Sequence, residues 1–201
     1  MKKSRLKVLI IPVYHFENMG VRLLQSVIQK EGHDCKLLFF NSVEMKKVKR
    51  TLLHAPFQFL IKPDAPVEED YIKLQKFIEG YKPDIIGISS MSENYSTSIK
   101  ICNKIKEVSK APIVWGGVHA TVAPEECVAH ADFVCIGEGV ESFPEFINSF
   151  ENGKNIKRTK GFAYQNNGKT IINKSKDPVA NLNTLPYADY TNENKYYIKK
   201  G

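Results

Sequence analysis

The sequence contains no apolar run near the roughly 18 residues that a membrane-spanning helix needs, so its composition excludes a helical span. It has no Cys-x-x-Cys pair. Its four cysteines, Cys35, Cys102, Cys127 and Cys135, stand far apart, and no histidine or cysteine cluster has metal-ligand spacing. This predicts reduced core thiols in place of a disulfide frame or a zinc site. The phosphate loop Gly-x-x-x-x-Gly-Lys-Ser/Thr, the dinucleotide spacing Gly-x-Gly-x-x-Gly and the hydrolase elbow Gly-x-Ser-x-Gly are all missing. The first residues, Met1-Lys2-Lys3-Ser4-Arg5, lead into a strand-like run and not into a signal-peptide core, so the expectation is a cytoplasmic chain.

What is present is ordinary globular material. The chain has 201 residues, 42% hydrophobic and 25% charged, enough for one main domain with a modest appendage. A net charge of +7 raises the question of an anionic partner. The positives gather in Lys46-Lys47-Val48-Lys49-Arg50, between residues 154 and 160, and in the tail from 195 to 200. No aromatic or glycine motif of an RNA-binding sheet accompanies them. Solvated faces and a docking surface therefore account for them better than nucleic acid does.

Residues 6–13 form a continuous apolar run, the pattern of a strand buried on both faces of a parallel sheet. Val21, Leu24, Val27 and Ile28 then recur at helical spacing up to Gly32, and residues 35–40 form the second strand. Residues 41–66 carry three prolines and no clear period, and no element is assigned to them. Beyond them, helix and strand alternate regularly: a helix over 67–80, strand 85–89, a helix marked by Ile99, Cys102, Ile105 and Val108, and strand 113–115. A short helix over 124–130, strand 133–136 and a helix over 141–150 complete the series. This predicts an α/β fold, a doubly wound five-stranded parallel sheet of flavodoxin-like order 2-1-3-4-5. Asn166-Asn167-Gly168 between two short apolar stretches predicts a hairpin, followed by an extended linker. The expected division is an α/β domain over 1–153, a hairpin appendage over 154–176 and a linker over 177–201.

In such a sheet ligands bind at the carboxyl ends of the strands. The residues placed there are Tyr14 and His15, then Ser89, Ser90, Met91 and Ser92, then Gly116, Gly117 and His119, then Gly137, Glu138 and Gly139. Paired glycines let a bulky ligand lie against backbone, although a tight turn is the plainer reading. The serines offer short donors and acceptors, with helix capping as their plainer reading. Glu138 at a helix start serves equally as a cap charge.

The block Trp115-Gly116-Gly117-Val118-His119-Ala120-Thr121, with Pro124-Glu125-Glu126 and Gly137-Glu138-Gly139, resembles the cobalamin-binding N-terminal domain of B12-dependent radical SAM proteins. The strand from Pro83 to Ser89, the hairpin and Leu185-Pro186-Tyr187-Ala188-Asp189-Tyr190 resemble that family too. The resemblance covers most of the chain, least of all residues 41–66.

The resemblance implies a cobalamin lying across the strand ends, its dimethylbenzimidazole tail detached and threaded beside the sheet. The twelve residues named above are then its candidate contacts. The family's cluster motif Cys-x-x-x-Cys-x-x-Cys is absent, so a [4Fe-4S] cluster and S-adenosylmethionine belong to a radical SAM barrel supplied in cis or in trans. The parent enzyme would use cobalamin for methyl transfer or radical chemistry. One departure stands out. B12-dependent mutases carry Asp-x-His-x-x-Gly after the first strand, whereas Val13-Tyr14-His15 lacks that aspartate. His15 is the one candidate cobalt ligand, and otherwise a polar loop residue. A cofactor-free domain used for docking or substrate recognition is the alternative.

Overall fold

A computed structural model describes residues 5–14, 18–40 and 65–198. The segment left unassigned by its sequence falls outside these residues except for its last two, and His15 falls outside them as well.

The apolar run forms β1 (Lys7–Pro12), with Val8, Leu9, Ile10 and Ile11 at most 2% exposed, as a strand covered on both faces must be. Asn18 caps α1 (Met19–Lys30) by accepting a hydrogen bond from Val21 N at 3.2 Å, and Gly32 ends the turn at φ +96°. β2 (Asp34–Phe40) follows. α2 (Glu68–Tyr81) starts where the Asp70 carboxylate accepts from Val67 N. Then come β3 (Ile85–Ser89), a 3₁₀ turn (Ser92–Asn94), α3 (Tyr95–Val108) and β4 (Ile113–Gly116). A short α4 (Val118–Val122) that the sequence did not announce precedes α5 (Pro124–Val128), β5 (Phe133–Cys135) and α6 (Gly139–Glu151).

Alternate residues of each strand feed two cores. Leu9, Ile11, Leu38 and Phe40 pack under α2 and α3 with Leu74, Ile101, Ile105 and Trp115. Val8, Ile10, Leu37 and Phe39 pack under α1 and α6 with Ile28, Phe143, Phe146 and Ile147. All four cysteines are free and buried, as expected of core thiols. Among the described residues no helix is long and apolar enough to cross a membrane.

The strand order corrects the expected sheet. The five parallel strands do run 2-1-3-4-5, but they are the centre of an eight-stranded sheet, continued beyond β5 by residues 162–166 and 169–172 and beyond β2 by residues 195–198. The hairpin, β6 (Phe162–Asn166) and β7 (Lys169–Ile172), turns on Asn167 and Gly168, both at positive φ. It extends the sheet antiparallel to β5 because Phe162 and Ala163 are fully buried there. At the other edge, residues read as linker supply β8 (Lys195–Ile198), parallel to β2 with Leu37 beside Lys195. Its anchors are tertiary. Tyr197 stacks on Phe39 at 5.0 Å, and the fully buried Lys195 ammonium pairs with Asp189 at 2.5 Å. The Arg22 guanidinium lies between the rings of Phe39 and Tyr190, 5.0 Å from each.

Candidate functional site

Because β1, β3 and β4 are parallel and in register, Pro12, Ser89 and Gly116 stand side by side at one edge of the sheet. Two backbone bonds carry that alignment past the strands: Val13 N donates to Ser89 O at 3.0 Å and Ser90 N to Gly116 O at 3.3 Å. A third tie is made by Thr121, whose hydroxyl donates to Gly117 O and accepts from Gly137 N, both at 3.0 Å. The tips of β1, β3, β4 and β5 therefore form one rim. Tyr14 sits at its β1 corner in the left-handed region, φ +66°.

The glycines of the rim differ in their reasons. At Gly117, φ is +99° and a Cβ would lie 2.6 Å from Ser90 O and 2.9 Å from Ser90 N, so the protein's own backbone requires glycine there. The tight-turn reading holds at that position. Gly116 and Gly139 are different: a Cβ on either would meet nothing nearer than 3.7 Å and 3.6 Å, ordinary contacts with Cys135. Gly137 faces open space, with nothing within 4 Å of its Cβ position. Internal packing thus leaves Gly116 and Gly139 unexplained, and bare backbone at these tips gives a flat ligand room to approach.

The serines are not helix caps. Neither Ser92–Asn94 nor α3 has a side-chain cap bond. Ser90 is buried and accepts from Trp115 Nε1 at 2.9 Å, while Ser92 is exposed with its hydroxyl 3.2 Å from His119 Nδ1. His119 itself is turned inward: its side chain is 8% exposed and Nε2 lies 3.5 Å from Glu126 Oε2, an ion-pair distance and not a formed hydrogen bond. Tyr95 stacks on Trp115 and packs at a tilt against His119. Burial pushes the Tyr95 phenol up, with the Glu126 carboxylate and Cys127 adding to it. Glu138 makes no cap bond to α6 and accepts instead from Val179 N at 3.3 Å, tying the returning segment to the rim.

Met91 was among the expected contacts, whereas Met19 was not singled out by the sequence and Val118 and Thr121 entered only as part of the motif block. Thr121 stitches two tips, and Met19, Met91 and Val118 stand exposed just beyond three of them. No lysine or arginine occurs in 14–20, 89–94, 116–123 or 136–140. Such a rim suits a broad, uncharged ligand with dispersed amides, not an isolated phosphate. Burial pushes the thiol of Cys135, under the rim, up to about 12, so it offers no thiolate to a metal. No metal-holding cluster occurs among the described residues. A groove of about 1020 Å³ between α1, α6 and residues 184–186 reaches the rim at Val140, next to Gly139.

Over 125 residues the chain is 32% identical to an uncharacterized methyltransferase of Pyrococcus horikoshii, covering 58% of this chain and 26% of that protein. The chain thus spans about a quarter of that relative's length. Among solved structures, the radical S-adenosylmethionine methyltransferase TsrM of Kitasatospora setae superposes with a TM-score of 0.64 at 13% identity, over 87% of this chain and 31% of TsrM. The cobalamin-dependent S-adenosylmethionine radical enzyme OxsB gives 0.64 at 16% identity, over 87% of this chain and 23% of OxsB. At these identities the superpositions establish the fold. Residues 7–147 match the family model of the B12 binding domain, and the chain belongs to that family.

Proposed function

We propose that this chain binds cobalamin and presents it to a radical SAM catalytic barrel. The observation that carries the reading is the pair Gly116 and Gly139, whose missing side chains the protein's own packing does not require. They flank a rim with three exposed apolar side chains and no cation, which fits the flat, amide-fringed corrin. In this reading Tyr14, Ser89, Ser90, Met91, Ser92, Gly116, Gly117, Gly137, Glu138 and Gly139 border the ring. Gly139 and the neighbouring Leu24 would hold the part of the ligand nearest the start of α6.

Bound cobalamin supplies a methyl carrier or a radical partner to the reaction. The chain's part is to bind and orient. Bare backbone at Gly116 and Gly137 lets the ring approach, Ser92 offers a hydroxyl at its fringe, and Met19, Met91 and Val118 exclude water beneath it. His15 is the candidate lower ligand of cobalt and lies outside the described residues. β8 runs parallel to β2, so it points its carboxyl end toward the same edge as the rim. The cluster and S-adenosylmethionine would be held by the barrel and not by this chain.

The test is direct. Mixed with hydroxocobalamin and desalted, the folded protein should retain about one equivalent of corrin absorbance. Complete loss of colour from a folded sample would leave the cofactor-free docking domain as the better reading.

A further inference from the structure

His119, expected among the ligand contacts, is turned inward: Nδ1 is 3.2 Å from Ser92 Oγ, and Nε2, without a formed hydrogen bond, faces the Glu126 carboxylate at 3.5 Å. The ring packs against Tyr95 at a 50° tilt, centroids 4.5 Å apart, and Tyr95 in turn stacks on Trp115 at 5.7 Å. Three elements, α4, α5 and the turn after β3, thus converge on one imidazole. Of its polar neighbours, Ser92 is exposed on the rim side and Glu126 on the α5 side.

We propose that His119 is a positioning residue that sets the hydrogen-bond polarity of Ser92, so that the β3 tip accepts a hydrogen bond from a carboxamide N–H of the bound corrinoid. The argument concerns where one proton sits. A carboxylate behind Nε2 favours the tautomer protonated there, which leaves Nδ1 with its lone pair. Ser92 then donates its O–H to Nδ1, and the oxygen lone pairs face the rim. An amide N–H of the ligand satisfies them, whereas a carboxylate, which only accepts, does not. When the imidazole gains a second proton, Nδ1 donates to Ser92, and the serine hydrogen turns outward. The contact thereby changes from acceptor to donor. The titratable groups facing the ring are Glu126 on α5 and Tyr95 on α3, with His130 meeting the far side of Tyr95 at 6.2 Å.

The inference rests on the cobalamin reading, and two measurements separate them. In the ligand-free protein, ¹⁵N chemical shifts of the His119 ring should report a protonated Nε2 and a bare Nδ1 at neutral pH, with Glu126→Gln shifting that balance. A ring protonated at Nδ1 overturns the proposal whether or not cobalamin binds. Hydroxocobalamin affinity is then followed from about pH 5.5 to about pH 8, the range in which histidine ordinarily changes charge. Relative to His119→Asn, whose amide can stand in for Nδ1 without titrating, the native protein should lose about threefold to tenfold in affinity toward acid. His119→Leu should lose about the same factor at neutral pH. Ser92→Ala should erase both differences. Superimposable profiles for the native protein and His119→Asn, or a His119→Leu loss that persists in the Ser92→Ala background, reduce His119 to a packing residue. Absence of any cobalamin binding removes the reading and this inference together.

Discussion

The rim at the strand tips and the β2–β8 edge use opposite means. At the rim, backbone is left bare, three apolar side chains are exposed, and single hydrogen bonds stitch one tip to the next. At the β2–β8 edge the polar groups are turned inward: Lys195 is buried against Asp189, Arg22 sits between two rings and donates to Asp189 O, and Gln25 donates to the carbonyls of Cys35 and Asn194. The contrast separates binding from stability. Substitutions at the edge should act on folding, and those at the rim on ligand retention, except where a rim residue also serves the backbone.

Gly117 is that exception, and it should show the largest effect. Gly117→Ala puts a Cβ into backbone atoms that cannot yield, at a φ that side chains avoid. The expected cost is about 3 kcal/mol of stability by chemical denaturation. A cost below about 1 kcal/mol would mean the β4 turn is looser than described. Asp189→Ala comes next. It leaves the buried Lys195 ammonium with only the Glu193 carbonyl, and should cost about 2 kcal/mol, less than a fully buried orphan charge because the carboxylate side is 26% exposed. Cobalamin retention by the folded fraction should be unchanged. A loss of binding as large as the loss of stability would break the division between edge and rim.

How far the sequence was legible follows the same division. The five central strands could be read because a strand buried on both faces must be apolar throughout, as Val8 to Ile11 and Ile85 to Ile88 are. β8 could not, since it is four residues long and opens on a lysine, a residue that ordinarily marks exposure. Its burial depends on Asp189, whose partnership only the folded chain reveals. At the rim, the glycines and serines were legible as small residues at strand ends. Their differing roles were not, because the neighbour that explains Gly117 is Ser90 and the partner of Ser92 is His119, each some 27 residues away in the chain.

Gly139→Ala sharpens the comparison from the rim side. Gly139 opens α6, is not at positive φ, and its Cβ would make only ordinary contacts, so alanine should leave stability unchanged or raise it by up to about 1 kcal/mol. The same methyl replaces bare backbone on the rim where the ligand is proposed to lie, and should weaken hydroxocobalamin binding about tenfold or more, roughly 1.4 kcal/mol. A stabilised variant with undiminished affinity would take Gly139 out of the proposed contact surface.

The smallest effect is the acid limb of stability at the edge. Burial alone would raise the Asp189 carboxyl, but the Lys195 ammonium and the backbone and hydroxyl of Thr191 outweigh it and hold the carboxyl below its ordinary range. A group depressed in the folded state stabilises above its unfolded value, and that stabilisation is lost as pH falls through the folded one. The contribution of the pair should therefore be complete at neutral pH and fade only below about pH 4. It fades partially, because a protonated carboxyl still accepts a hydrogen bond from Lys195. Melting temperatures of the native protein and Asp189→Asn should differ by a constant amount near neutrality and converge toward acid. A gap that widens toward acid would reverse the sign of the coupling and show that Lys195 is held by something other than Asp189.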